Sequence, residues 1–245
     1  IRVADSIYMK NTYRDSIFKW ILNSPVGEKG KYFYSDLGPI LMKMVIEKIT
    51  GKTLDQYLEE NFYKPMGLQR ITFQPRKKFE LKEIIPTEDD KEFRKQLVHG
   101  DVHDPAAAMM GGVSGNAGLF ANANDLAVVM QMLLNKGSYG GKQYIQSGTV
   151  DIFTLQQFKG NRRGLFFDKP DPDSTKSSPT CKSASLLSFG HQGFTGTCAW
   201  VDPEYHLVYI FLSNRVNPDA TNEKLVKLNV RTEIQQVIYD SFLKK

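Results

Sequence analysis

From Leu37 onward, apolar residues return at intervals of three and four: Leu37, Ile40, Leu41, Met44, Val45 and Ile49. That spacing predicts a helix beginning at Ser35, with Pro39 tolerated in its first turn and Gly51 supplying the stop. Thr53-Leu54-Asp55-Gln56 then reads as a capping box opening a second, shorter helix. Its stripe is Leu54, Tyr57, Leu58 and Phe62, and Pro65 and Gly67 end it. A third helix opens at Asn122-Ala123-Asn124-Asp125, carries Leu126, Val129, Met130 and Leu133 on one face, and closes at Asn135 and Gly137. Two intervening segments lack this periodicity. Residues 74–100 are charge-rich and irregular, which suggests a surface excursion or a loosely packed helical insertion. Gly111–Gly118 is too rich in glycine for the interior of an element, and reads as a tight loop whose backbone must come close to something.

From Lys169 to Ser185 proline, aspartate, serine and lysine dominate, the composition of a long surface loop. The period then changes. Residues 186–190 and 197–201 are short strand candidates, and His206–Leu212 is a nearly continuous apolar run of the kind found in buried strands. Asp202-Pro203-Glu204 supplies the turn between the last two, which makes an antiparallel meander. A final stripe of Val226, Val230, Ile234, Val237, Ile238 and Phe242 predicts an amphipathic helix lying across that sheet. The expected class is α+β: a single domain over 1–245, with a mostly helical lobe at 35–155 and a sheet with its covering helix at 186–245.

Composition narrows the function. A chain of 245 residues with 41% hydrophobic content can bury a sizeable core. No run approaches the eighteen apolar residues of a spanning helix, so no membrane span is expected. Net charge is +5, but the densest basic cluster, Arg76-Lys77-Lys78, is followed by Glu80, Glu83, Glu88, Asp89 and Asp90. That mixture reads as a solvated charged face, with no nucleic-acid partner. Cys181 and Cys198 allow one optional bridge and no framework, and the chain has no Cys-x-x-Cys pair. The histidines, His99, His103, His191 and His206, form no His-Glu-x-x-His pattern; His103-Asp104 reads as a polar turn before Pro105. Neither a metal nor another cofactor is expected.

Two short strings carry chemistry: Tyr34-Ser35-Asp36 at the mouth of the first helix, and His191-Gln192-Gly193-Phe194-Thr195-Gly196 at the end of a strand. With the Gly111–Phe120 segment between them, their order resembles that of the serine β-lactamase, D-alanyl-D-alanine carboxypeptidase and esterase superfamily, in its class C-like branch. Tyr34-Ser35-Asp36 is similar to the Tyr-x-Asn motif there, and His191-Gln192-Gly193 to the strand motif usually written Lys-Thr-Gly. The resemblance implies a β-lactamase-like fold and a serine hydrolase working by acyl transfer on an amide or ester, whether cell-wall peptide, β-lactam or simple ester. It also implies a bacterial cell-envelope location.

In that scheme Tyr34 is the base that activates a serine hydroxyl, or the acid that protonates the leaving group, and nearby cations must stabilise its anion. His191 stands where the strand lysine usually stands, giving weaker electrostatic help at neutral pH or orienting substrate through a hydrogen bond. Asp36 replaces an asparagine: a carboxylate only accepts, so it either touches substrate, pairs with a lysine, or simply caps the helix. Gly193 lets substrate approach the strand edge, with Thr195 nearby, and the Phe194 N–H is one oxyanion donor. An ordinary turn is the alternative reading of 193–196.

The family's nucleophile is a Ser-x-x-Lys pair starting a helix well upstream of the tyrosine. Ser16-Ile17-Phe18-Lys19 has the spacing, yet Lys19 lies only fifteen residues before Tyr34, too close for that arrangement. The expectation is that the nucleophile precedes Ile1, that an N-terminal segment of the same protein is the missing partner, and that an open sheet edge invites self-association. The fragment is then expected to be inactive alone. An α/β-hydrolase elbow is excluded because Gly112-Val113-Ser114-Gly115 misplaces the last glycine. The competing class is a non-catalytic binding or accessory module that has lost its nucleophile and is fused to, or partners, an envelope glycosidase.

Overall fold

The computed structural model describes residues 1–243, which fold into two compact units. The first comprises Ile1–Pro65, Arg70–Phe120 and Asn217–Ala220. It opens with a ribbon of β1 (Arg2–Ala4) and β2 (Ile7–Tyr8), whose Val3 packs against Val102, Ala107 and Ala108. Helix α1 (Tyr13–Leu22) follows, with no residue fully buried. Helix α2 (Leu37–Thr50) is the one the periodicity predicts. Gly51 ends it at φ 68°, a left-handed conformation that costs other residues a Cβ clash, and its N–H reaches Glu47 O at 2.9 Å.

α2 buries Ile40 and, less expectedly, Lys43, which forms an ion pair with Glu47 at 3.1 Å. Glu47 Oε1 in turn accepts the Leu54 N–H of α3 (Leu54–Leu58) at 3.1 Å, so one carboxylate ties the two helices together. Gln56 Oε1 accepts from Thr53 N–H at 3.3 Å, the reciprocal half of a capping box, and α3 runs into a π-helical turn at Glu59–Tyr63. The unit continues with β3 (Thr72–Phe73), β4 (Pro86–Asp90), β5 (Gln96–His99), α4 (Pro105–Met109) and β6 (Leu119–Phe120). β3 pairs with β6 and β4 with β5, all antiparallel. Leu54, Phe73 and Val113 form a small core with Ile46 and Leu58.

The charge-rich segment 74–100 is neither a helical insertion nor a simple solvated face. It holds the β4–β5 hairpin, and Glu88, Asp90 and Arg94 are buried within it. Arg94 donates Nε to Asp90 at 2.8 Å, pairs with Glu88, and donates to the carbonyls of Val102 (2.5 Å) and His103 (2.7 Å). Burial alone would lift the Asp90 carboxyl, but Arg94 and the N–H groups of Phe93, Arg94 and Glu92 outweigh it and bring Asp90 down to about 2. Charges at alternating positions mask a strand when each is buried against a partner.

The second unit comprises Met66–Gln69, Ala121–Val216 and Thr221–Lys245. Asn122 Oδ1 accepts from Asp125 N–H at 2.8 Å and starts α5 (Ala123–Leu134). A two-residue-stranded hairpin, β7 (Ser138–Tyr139) with β8 (Lys142–Gln143), and α6 (Ser147–Thr154) precede the sheet. The sheet is the predicted meander, with its first strand three residues later than predicted: β9 (Phe189–Gln192), β10 (Cys198–Asp202) and β11 (Leu207–Phe211) are antiparallel in the order β11-β10-β9, and Leu186 and Leu187 are exposed ahead of β9. α7 (Lys224–Lys227) and α8 (Val230–Leu243) follow.

Alternation along β10 sends side chains to both faces. Ala199 and Val201 join Phe189, Val208, Ile210, Met130 and Leu134 beneath α5. Cys198 and Trp200 join Tyr209 and Phe211 beneath Ile238 of α8. The predicted stripe of α8 is nonetheless off: Val237 is 69% exposed, while Gln235 and Tyr239 are fully buried. Their polar atoms are satisfied, Gln235 Oε1 accepting from Cys181 N–H at 2.9 Å and Tyr239 OH donating to Asp202 at 2.5 Å. Satisfied polar side chains therefore turn the helix away from its most aliphatic face. The 169–185 stretch is not wholly at the surface either. Lys169, Thr180 and Cys181 are buried, and Lys169 Nζ donates to Leu187 O (3.3 Å) and Ser188 O (2.9 Å).

Candidate active site

Tyr34 lies in irregular chain just ahead of α2 in the first unit and is 56% exposed. Ser35 Oγ accepts the Leu37 N–H at 3.2 Å, whereas Asp36, the residue at the N-cap position, makes no side-chain cap. Capping is thus the work of Ser35 and not of the Asp36 carboxylate. The glycine-rich loop comes close to this start of α2: a Cβ on Gly115 would stand 2.0 Å from Pro39 O. The loop is held there by a short relay. Asp104 Oδ1 caps α4 through Ala107 N–H (2.7 Å) and accepts from Asn116 Nδ2 (3.1 Å), and Asn116 Oδ1 accepts from Ser114 Oγ (2.7 Å).

His191, Gly193, Phe194 and Thr195 belong to the second unit. His191 is paired with Ala199 in the sheet. Gly190 N–H donates to Asp168 O at 3.0 Å and Asp168 N–H to Gly190 O at 2.7 Å, a bridge on the side of β9 away from β10. Residues 193–196 are a β-turn closing the β9–β10 hairpin, with Gly196 N–H on Gly193 O at 3.0 Å and Gly193 N–H on Thr197 O at 2.8 Å. Gly196 sits at φ 110°, and a Cβ there would meet Ser213 Oγ at 2.5 Å.

Two arginines clamp this turn. Arg215 donates Nε to Phe194 O at 2.8 Å, its guanidinium lies 4.4 Å over the Phe194 ring, and its backbone N–H reaches Thr195 O at 2.9 Å. Arg231 donates to Gly193 O (3.3 Å) and Thr197 O (3.1 Å), and its own burial lowers its affinity for a proton. With the carbonyls of 193, 194, 195 and 197 all engaged, the peptide plane carrying the Phe194 N–H has a set direction. A cleft of about 240 Å³ opens beside β9, lined by Arg162, Ser178, Gln192, Asn229, Arg231 and Thr232 among others.

Sequence reasoning missed the cationic neighbours of His191. Arg163 Nη1 lies 3.2 Å from His191 Nε2, and Arg163 Nε lies 3.3 Å from Asp168. Arg162 grips the same buried carboxylate with two bonds, at 2.7 and 3.1 Å. An Arg-Arg pair after Gly160-Asn161 carries no periodicity that would mark it. Ser16 is the fourth residue of α1, and Lys19 is exposed. A second Ser-x-x-Lys spacing runs from Ser241 to Lys244. Ser241 sits in the last turn of α8 with its hydroxyl donating to Ile238 O at 2.7 Å, and it follows the histidine motif where the family order needs it to precede the tyrosine; Lys244 lies outside the described residues.

Comparison with known proteins places these features in a family. The Beta-lactamase family model matches residues 5–231, and the chain belongs to that family. It is 38% identical over 227 residues to the Escherichia coli K12 protein named "Putative D-alanyl-D-alanine carboxypeptidase", covering 87% of this chain and 52% of that one. The chain thus spans about half the length of the curated relatives it matches. Among solved structures it resembles a β-lactamase from Mycobacterium bovis (TM-score 0.57, 20% identity, 85% of this chain and 64% of that one). It also resembles a mutant simvastatin synthase from Aspergillus terreus (TM-score 0.62, 17% identity, 95% and 61%). The fold is β-lactamase-like and α+β, and the family is that of the serine β-lactamases and D-alanyl-D-alanine peptidases.

Proposed function

We propose that this chain contributes the tyrosine and strand motifs of a serine hydrolase of the penicillin-recognising type, acting by acyl transfer on an amide or ester. D-alanyl-D-alanine peptides of the cell wall are the favoured substrates, because the relatives of 38% and 35% identity carry that name. Tyr34 exchanges the proton, His191 and the clamped 193–197 turn bind the acyl group, and the Phe194 N–H donates to the developing oxyanion. Asp36 and Thr195 contact substrate. The hydroxyl nucleophile is in neither Ser-x-x-Lys spacing present here, so these residues alone do not turn over substrate. The setting is the bacterial envelope. The outer edge of β11, which pairs with no strand among the described residues, is where further chain or a second copy adds.

The observation that carries this reading is the turn itself, a strand-end N–H held in one direction by two arginines within a chain of this family. The test is titration of the purified protein with an acyl-D-alanyl-D-alanine peptide by calorimetry, alongside mass spectrometry after exposure to labelled penicillin. Saturable binding weakened at least tenfold by Tyr34→Phe or His191→Ala, with no covalent adduct, is the expected result. A rapid adduct on Ser16 or Ser241 overturns the assignment of the nucleophile, and binding indifferent to both substitutions overturns the site. A Ser-x-x-Lys ahead of a helical pattern in the reading frame before Ile1 separates the enzyme from a binding module that has lost its nucleophile.

A further inference from the structure

His191 is sandwiched between two groups of fixed hydrogen-bonding character. Its Nδ1 lies 2.7 Å from Gln192 O, and a carbonyl oxygen only accepts, so Nδ1 carries the proton. Its Nε2 lies 3.2 Å from Arg163 Nη1, and a guanidinium only donates, so Nε2 presents its lone pair. We infer that Arg163 is a positioning residue of the strand site, fixing His191 as the Nδ1–H tautomer and placing a permanent positive charge at the Nε2 end of the ring. The strand's cation is then Arg163, reached from a loop 28 residues upstream, and His191 is the neutral link that ties it to β9.

Arg163 is itself held. Its side chain is 19% exposed, and its Nε stands 3.3 Å from the Asp168 carboxylate, which is 6% exposed and receives two bonds from Arg162 and the Lys169 N–H at 2.9 Å. Asp168 is fastened to β9 by both backbone bonds of its bridge to Gly190, the residue before His191. The strand therefore fixes the carboxylate, the carboxylate orients the guanidinium, and the guanidinium sets the tautomer. A guanidinium keeps its charge throughout the pH range in which an imidazole changes state, so a site built this way does not depend on protonating the histidine. The consequence for catalysis rests on the acyl-transfer reading; the tautomer does not.

The test is a long-range ¹H–¹⁵N correlation spectrum of the ¹⁵N-histidine-labelled chain at about pH 8.5, where ordinary imidazoles are neutral. His191→Gln assigns the signal among the four histidines. The expected pattern is a pyrrole-type Nδ1 and a pyridine-type Nε2 for His191. Arg163→Met is expected to move both shifts toward an averaged position, and Arg163→Lys, which restores a donor, to recover them in part. A pyridine-type Nδ1 in the unaltered chain overturns the inference without any variant, as does a spectrum unchanged by Arg163→Met. Because no substrate is added, failure here is distinct from failure to bind an acyl peptide.

Discussion

Replacing Arg94 by methionine should cost the first unit a large part of its stability, and the loss should depend on pH. The Arg94 side chain is 1% exposed and holds two carboxylates that are themselves 8–9% exposed, Asp90 and Glu88, plus two carbonyls, of Val102 and His103. Removing one partner of a buried ion pair typically costs about 3–5 kcal/mol, because the other charge stays buried. The carbonyls add to this, and methionine recovers some packing, so the expected loss at pH 7 is about 4 kcal/mol. That is a large share of the roughly 5–15 kcal/mol that holds a domain together. The sign of the pH effect follows from Asp90. Held at about 2 with Arg94 present, it stabilises the fold above its unfolded value near 4 and loses that contribution as pH falls toward 2. Without the guanidinium both carboxyls bind their protons more tightly than in the parent: Glu88 is already pushed up by burial, against the pull of Arg94, and Asp90 keeps only the N–H groups of Phe93, Arg94 and Glu92 against its burial. The deficit should therefore shrink to about half at pH 4. Urea denaturation at the two pH values measures it. A loss under about 1 kcal/mol at pH 7, or one equal at both pH values, would refute the assignment of this cluster as a buried ionic core. The consequence reaches the candidate site, because Arg94 fixes the backbone just before Asp104, and Asp104 anchors Asn116 of the loop packed on α2.

Three further outcomes are expected. Gly115→Ala should destabilise the first unit by about 2–4 kcal/mol, since backbone and not a movable side chain stands 2.0 Å from the new Cβ, and amide exchange at 36–40 should quicken. Arg215→Met should leave thermal stability within a few degrees yet raise amide exchange at 194–197; unchanged exchange there would show that the turn needs no clamp. Lys169 is pushed down to about 8 by burial, which Asp202 only partly offsets, so the folded state binds fewer protons than the unfolded state between about 8 and 10.5. The penalty of burying its charge is full below pH 8 and relieved as pH rises, and Lys169→Met removes that slope. The stability of the variant relative to the parent should therefore be more favourable at pH 7 than at pH 10.5, by about 3 kcal/mol at most, measured by chemical denaturation.

The elements legible in the sequence are those whose burial is one-sided and apolar. α2 and α5 show three-four spacing with a stop or cap at each end, and β10 and β11 are short apolar runs separated by turn residues, so both periods are visible; β9, Phe189-Gly190-His191-Gln192, is not apolar, and the run that suggested it starts three residues early at the exposed Leu186 and Leu187. What was illegible is burial achieved by polar pairing. β4 buries Thr87, Glu88 and Asp90, with the two carboxylates on alternate positions, and has no apolar face to read, because the core partner of those carboxylates is a guanidinium. α8 buries Gln235 and Tyr239 for the same reason, against Cys181 and Asp202. For the site, the order of the Tyr34 and His191 motifs was readable as short strings. Arg163 was not, since its place beside His191 depends on the Asp168–Gly190 bridge, a contact between residues 22 apart that leaves no local signature.

Chemical-shift mapping of the ¹⁵N-labelled chain during titration with an acyl-D-alanyl-D-alanine peptide bears most directly on the claim that the two motifs serve one acyl substrate. Saturable shifts at Tyr34 and at His191–Thr195, following a single dissociation constant, are the predicted result. Shifts confined to one of the two motifs, or absent from both at millimolar peptide, would contradict it.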